Sequence, residues 1–166
     1  MDLHYKVCTP EHVEDVLRFL QAMHQERVLT LNRMQKLPSV ADEINWLKKF
    51  DGKTGIVMAV WANDDIVAFL HAEILQPKEL SGNCEFGLSV LAPYRKQGIA
   101  TKLMTDVEKW ARKRQVRRLE LGVYSNNPKA YRLYEKLGFV EDGRRVAAVE
   151  IWNGDVVDLI HMSKVL

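Results

Sequence analysis

Apolar and polar side chains alternate through "LHYKVCT" (residues 3–9), the period of a strand with one buried face. Thr9-Pro10 then supplies an N-cap and an N1 proline. Val13, Val16, Leu17, Leu20 and Met23 follow at helical spacing and predict a first helix. Residues 25–38, "QERVLTLNRMQKLP", hold no clear period and read as a mobile connection. Ser39 stands where it can cap a second helix that buries Ile44, Leu47 and Phe50. "GIVMAVWA" and "IVAFLHAEIL", split by the turn-prone Asn63-Asp64-Asp65, predict two antiparallel strands. "CEFGLSVL" predicts another strand, after a loop around Pro77 and Ser81-Gly82-Asn83.

The strongest helical period runs from residue 98 to about 115, with Ile99, Leu103, Val107 and Trp110 on one face. Lys109, Arg112, Lys113 and Arg114 crowd its negative end. "RRLELGVY" reads as a strand and "NPKAYRLYEKLGF" as a short helix closed by Gly138. The tail predicts two strands around Asn153-Gly154, a pair suited to a type I′ hairpin. The resulting order, β, α, α, β, β, β, α, β, α, β, β, mixes meanders with crossovers and predicts an α/β chain whose mixed sheet is covered by helices.

Length and charge narrow the picture. A chain of 166 residues is of a size for one domain with a single core, taken here as residues 1–166. The net charge of +2 offers no broad field for nucleic acid or an acidic membrane. "MDLHYKVCTP" has no apolar signal core, and no apolar run approaches bilayer length. Cys8 and Cys84 lack metal or redox spacing, and the histidines show no metal pattern, so no metal is expected. Reduced cysteines in strands fit the cytoplasm.

"YRKQGIATKL" (residues 94–103) places two cations and a glycine where the strongest helix begins. The first N–H groups of a helix lack internal partners, and the macrodipole makes that end electropositive. Gly98 lets the backbone come close to a ligand, so the stretch reads as a pyrophosphate cradle with Arg95 and Lys96 at its mouth. By itself the pattern equally fits a surface loop with solvated cations.

A second segment, "NNPKAYRLYEKLGF", contains Asn127-x-x-Ala130-x-x-Leu133-Tyr134-x-x-x-Gly138-Phe139. With both segments in order, residues 85–140 resemble the GNAT superfamily of acetyl-coenzyme-A-dependent N-acetyltransferases. That family carries Q/R-x-x-G-x-G/A after a strand and N-x-x-A-x-x-L-Y-x-x-x-G-F one strand later. The tail "IWNGDVVDLIHM" is similar to the closing hairpin of bacterial small-substrate members, and the N-terminal third agrees by element order. The resemblance implies a central mixed, mostly antiparallel sheet with about four flanking helices. Two neighbouring parallel strands, residues 84–91 and 117–123, would splay into a V. It further implies that acetyl-CoA lies in the gap, its pantetheine paired with Leu88, Ser89 and Val90. Its diphosphate would rest on the amides of Arg95, Lys96, Gln97, Gly98, Ile99, Ala100 and Thr101. Asn127 would hold the pantetheine from the far side, and Ala130 would leave room for it.

N-acetylation needs a neutral amine, a donor for the carbonyl oxygen and a proton for the departing thiolate. The resemblance makes Tyr134 the candidate acid and leaves the Val90 N–H to face the carbonyl oxygen. Glu85 is the candidate base; alternation puts it on the face of Gly87 and Ser89, with Glu73 and His71 of the preceding strand as rivals. Candidates to line an acceptor site are Met23, Trp46, Glu73, Glu85, Trp152 and Asp158. The expected acceptor is a primary amine of a small molecule such as an amino acid, a polyamine or an aminoglycoside, attacking directly in a ternary complex. A protein N-terminus or lysine, and a non-catalytic acyl-CoA sensor, are the alternatives; a homodimer is left open. "KWARKRQVRR" (residues 109–118) has the look of a nucleic-acid stripe, but its cations fall at a helix C-terminus and Trp110 belongs to the apolar face, so no nucleic acid and no membrane are expected as partners.

Overall fold

The computed structural model describes residues 2–26 and 36–166. Most of the connection expected at 25–38, residues 27–35, lies outside them. The order is β1 (Leu3–Val7), α1 (Val13–Gln25), α2 (Val40–Leu47), β2 (Gly55–Ala62), β3 (Asp65–Ile74), β4 (Asn83–Val90), α3 (Ile99–Arg112), β5 (Arg118–Tyr124), α4 (Pro128–Lys136), β6 (Val140–Glu150) and β7 (Val156–Val165). That is the order the hydrophobic pattern predicts.

Local chemistry explains the helix starts. Pro10 opens a short 3-10 turn ahead of α1, and the Ser39 side chain accepts from Asp42 N–H while Asp42 reaches back to Ser39. Gly138, at φ +88°, ends α4.

The seven strands form one sheet in the order β1-β2-β3-β4-β5-β7-β6. Every neighbouring pair is antiparallel except β4 with β5, giving the mixed, mostly antiparallel sheet expected. One face packs on α3 and α4, with Leu70 and Phe86 meeting Leu103, Val107 and Tyr134. The other packs on α1 and α2, with Val57 and Phe69 meeting Phe19, Met23 and Leu47. Full burial of side chains such as Leu103 contributes about 1.5–3 kcal/mol each.

One turn differs from expectation. The β6–β7 connection is not a two-residue type I′ turn: Gly154 N–H bonds Ile151 O at 2.9 Å, and Ile151 N–H bonds Asp155 O at 2.9 Å. A type I′ turn needs φ > 0 at both central residues, and here Gly154 is left-handed (φ +86°) while Asn153 is not. Asn153 uses its side chain instead, accepting from Asp155 N–H at 3.1 Å.

The feature that positions everything else is the parallel pair. β4 stays bonded to β3 from Cys84 to Val90, and β5 stays bonded to β7 from Arg118 to Tyr124. Between them, pairing stops after Glu85↔Glu120. Beyond that rung the strands part. Phe86, the first β4 residue past it, belongs to a three-ring cluster with Tyr134 (5.9 Å) and Phe139 (5.6 Å).

Candidate active site

The main chain of β4 beyond the last rung has a defined direction. At one end Leu75 N–H bonds Asn83 O (2.9 Å); at the other, Leu91 N–H bonds Val67 O (3.0 Å). In an antiparallel pair, residues bonded to the neighbour alternate with residues turned away. Asn83, Glu85, Gly87, Ser89 and Leu91 therefore bond toward β3, while Leu88 and Val90 turn their N–H and C=O toward the gap. Of the three residues expected to pair with a pantetheine arm, Leu88 and Val90 lie on this edge, while the main chain of Ser89 faces β3.

Past β4, a 3-10 turn at Ala92–Tyr94 leads into the cradle loop. Gln97 donates its side-chain N–H to Pro93 O at 3.0 Å and braces that loop. Lys96 and Gly98 are both left-handed, at φ +60° and +79°; for the lysine this costs on the order of 1–3 kcal/mol. The first α3 hydrogen bond runs from Lys102 N–H to Gly98 O (3.0 Å), so the amides of Ile99, Ala100 and Thr101 precede the helical ladder. Among the described residues, no side chain caps them. A Cβ placed on Gly98 meets nothing within 4 Å, so the space before these amides is open. Uncapped amides, a helix dipole and open space fit a diphosphate.

Arg95 is used differently from its neighbours. Its N–H bonds Ala92 O at 3.3 Å, its Nε donates to Val90 O at 2.8 Å, and its Nη2 meets Glu26 Oε2 at 2.5 Å. The other oxygen of Glu26 accepts Ala92 N–H at 2.7 Å. The sequence reading placed Arg95 at the cradle mouth and had no signal for Glu26, which lies 69 residues away.

α4 follows β5 at the far side of the gap. Asn127 Oδ1 caps this helix, accepting from Ala130 N–H at 3.2 Å, which leaves its Nδ2 donors for another partner. The Tyr134 ring is buried at 7% exposure, and its hydroxyl makes no hydrogen bond to a described residue. Burial pushes the phenol well up from its ordinary value, so it stays protonated.

The opposite face of the sheet collects the acceptor candidates. Glu73, Glu85 and Glu120 stand side by side on three strands at the last rung of the parallel pair. Arg118 offsets part of that charge, bonding Glu120 at 3.2 Å and also Asp142. Glu85, Arg118, Glu120 and Asp142, together with His161, line a cavity of about 210 Å³. One rung higher His71 faces Gly87. A Cβ on Gly87 would fall 2.4 Å from His71 Cε1, so the glycine makes room for the ring. Trp46 and Phe50 box it in at 5.4 and 6.2 Å. Met23, by contrast, is 1% exposed within the α1–α2 core and lines no open surface. Trp152 is 63% exposed at the β6–β7 turn, and Asp158 on β7 is tied to Arg144 (3.2 Å) and Ala147 N–H (2.9 Å). The structure thus gathers Trp46, Glu73 and Glu85 on one face and puts Trp152 and Asp158 on the closing hairpin. Glu120, Phe50 and His161 were missed; the alternation of "RLELGVY" carried the signal for Glu120, and nothing local marked the other two.

A family model described as Acetyltransferase (GNAT) family matches residues 20–139. The chain is 28% identical over 151 residues to the L-amino acid N-acetyltransferase AaaT of Escherichia coli (strain K12), which spans 88% of this chain and 90% of that protein. Its fold matches an acetyltransferase of the GNAT family from Streptococcus pneumoniae at a TM-score of 0.90 and 23% identity, covering 99% and 100% of the two chains. It also matches yncA of Salmonella typhimurium, solved with its cofactor acetyl-CoA, at a TM-score of 0.86 and 14% identity over 100% and 95%.

Proposed function

The chain belongs to the GNAT acetyltransferase family, and from that premise we propose that it moves an acetyl group from acetyl-CoA to the primary amine of a small molecule by direct attack in a ternary complex. The observation that carries this is the parting of β4 from β5 after Glu85↔Glu120, next to an uncapped α3 N-terminus. Bound acetyl-CoA supplies the acetyl group as a thioester, activated toward an amine.

The chain's own residues do the rest. The open edge of β4 offers N–H and C=O groups at Leu88 and Val90 that pair with the amides of a pantetheine arm, as an added strand would. Ile99, Ala100 and Thr101 hold the diphosphate, and Asn127 donates from the far side. The Val90 N–H faces the negative charge that develops on the carbonyl oxygen. Tyr134, kept neutral by burial, donates a hydrogen bond to the sulfur; with its phenol raised above an ordinary thiol near ~8.5, that bond matters more than its acidity. Glu85 takes a proton from the incoming amine, whose ordinary pKa near ~10.4 keeps it charged in water. The row Glu73, Glu85 and Glu120 sets negative charge where that cation arrives.

Among amino acids, polyamines and aminoglycosides as acceptors, the relative that acts by name on L-amino acids supports the first. The reading takes residues 1–166 as one N-acetyltransferase domain; two buried free thiols, Cys8 and Cys84, suit the reducing cytoplasm. Among the described residues, no helix is long and apolar enough to cross a membrane.

Thermal unfolding tests the coenzyme site: acetyl-CoA should raise Tm, since a ligand of the native state stabilises it, and no rise at millimolar ligand would refute the reading. Thiol release across L-amino acids, spermidine, kanamycin and a lysine peptide tests the acceptor. Turnover confined to the peptide would replace a small molecule with a protein.

A further inference from the structure

Arg95 and Val90 meet where the proposed coenzyme path leaves β4 for the cradle. Val90 O lies on the gap side of the strand, and a pantetheine amide paired there needs it as an acceptor. In this structure the Arg95 Nε holds that oxygen at 2.8 Å. The same guanidinium is pinned by Glu26 at 2.5 Å, and Glu26 is the residue that closes α1. Its second oxygen also holds Ala92 N–H, so one carboxylate fastens the end of α1 to the turn between β4 and the cradle.

The arrangement sets up a competition. Arg95 precedes Gly98 by three positions, and a diphosphate on the amides of Ile99, Ala100 and Thr101 would compete with Glu26, also an anion, for one guanidinium. Its side chain and that of Glu26 remain 42% and 21% exposed. A half-exposed ion pair of this kind is weak, because water screens it, and a tightly held diphosphate can displace it.

We propose that Arg95 is a latch which coenzyme binding opens: the guanidinium leaves Val90 O and Glu26 for the diphosphate, and the freed end of α1 loosens on the acceptor side of the sheet. Resting on the coenzyme path given above, it couples the coenzyme's arrival to acceptor entry through one side chain. Glu26 is a positioning residue in this scheme. It touches neither ligand, and its removal should favour the open latch.

Two measurements test it. Hydrogen exchange is followed in the wild-type protein with and without acetyl-CoA. Peptides from 86–91 and 98–101 should slow, while the last turn of α1, residues 22–26, should exchange faster. Glu26→Gln keeps an acceptor for Ala92 N–H but loses the ion pair, and should bind acetyl-CoA about threefold more tightly, as expected for a pair of this exposure. If 98–101 slows while 22–26 does not quicken, or if Glu26→Gln binds no better than wild type, the latch is wrong and the coenzyme site stands. If 98–101 gains no protection at all, the coenzyme path is wrong and the latch falls with it.

Discussion

The two sides of β4 offer a ligand different kinds of group. On the gap side, the groups offered are main chain: Leu88 and Val90 on the strand edge and the amides of Ile99, Ala100 and Thr101, with no described atom within 4 Å of a Cβ placed on Gly98. On the acceptor side the groups are side chains from several elements, with Trp46 and Phe50 around His71 and a glutamate from each of β3, β4 and β5. A main-chain site tolerates most changes of sequence but almost none of shape. A side-chain site can be re-specified one residue at a time. One coenzyme can thus be served by a fixed frame while the acceptor varies.

Three substitutions probe that contrast, in falling order of effect. Gly98→Glu should strike the main-chain side hardest. It puts bulk and negative charge before the cradle, at a backbone angle of φ +79° that side chains rarely adopt. Acetyl-CoA binding should fall by roughly 100-fold or more by calorimetry, and Gly98→Ala serves to separate charge from backbone strain. Binding of Gly98→Glu within tenfold of wild type would break the distinction.

Tyr134→Phe keeps the ring packed against Phe86 and Phe139 and removes one hydroxyl. The expected result is a fall in kcat of about 10²-fold, the lower range for such a group, with the acetyl-CoA Kd within twofold. An unchanged kcat assigns Tyr134 to packing alone. Because burial raises this phenol, its loss of a proton should not shape the pH profile below pH 10. A kcat limb near pH 8 that vanished in Tyr134→Phe would contradict that placement.

Gly87→Ala should have the mildest effect and the most selective. Its Cβ falls 2.4 Å from His71 Cε1 and forces the ring toward Trp46. The acceptor KM should rise severalfold while acetyl-CoA affinity holds, because the methyl lies on the acceptor face. Equal losses for both ligands would mean the two sides of β4 are not separable.

The amino-acid sequence by itself determined the element order, the caps at Ser39 and Gly138 and the glycine-marked start of α3. All of these depend on neighbours within a few positions, where backbone geometry and hydrogen bonding are decided by the residues in the window. Even there the hairpin at Asn153-Gly154 was misread, because Asn153 satisfied Asp155 through its side chain rather than by a left-handed backbone. Only the tertiary structure decided that Glu120 stands beside Glu85, that His71 lies over Gly87 inside an aromatic box, that Met23 is enclosed, and that Glu26 pairs with Arg95. Those contacts join residues far apart in the chain. Strand register and helix docking set them, and both come from the summed packing of two cores that no short stretch contains.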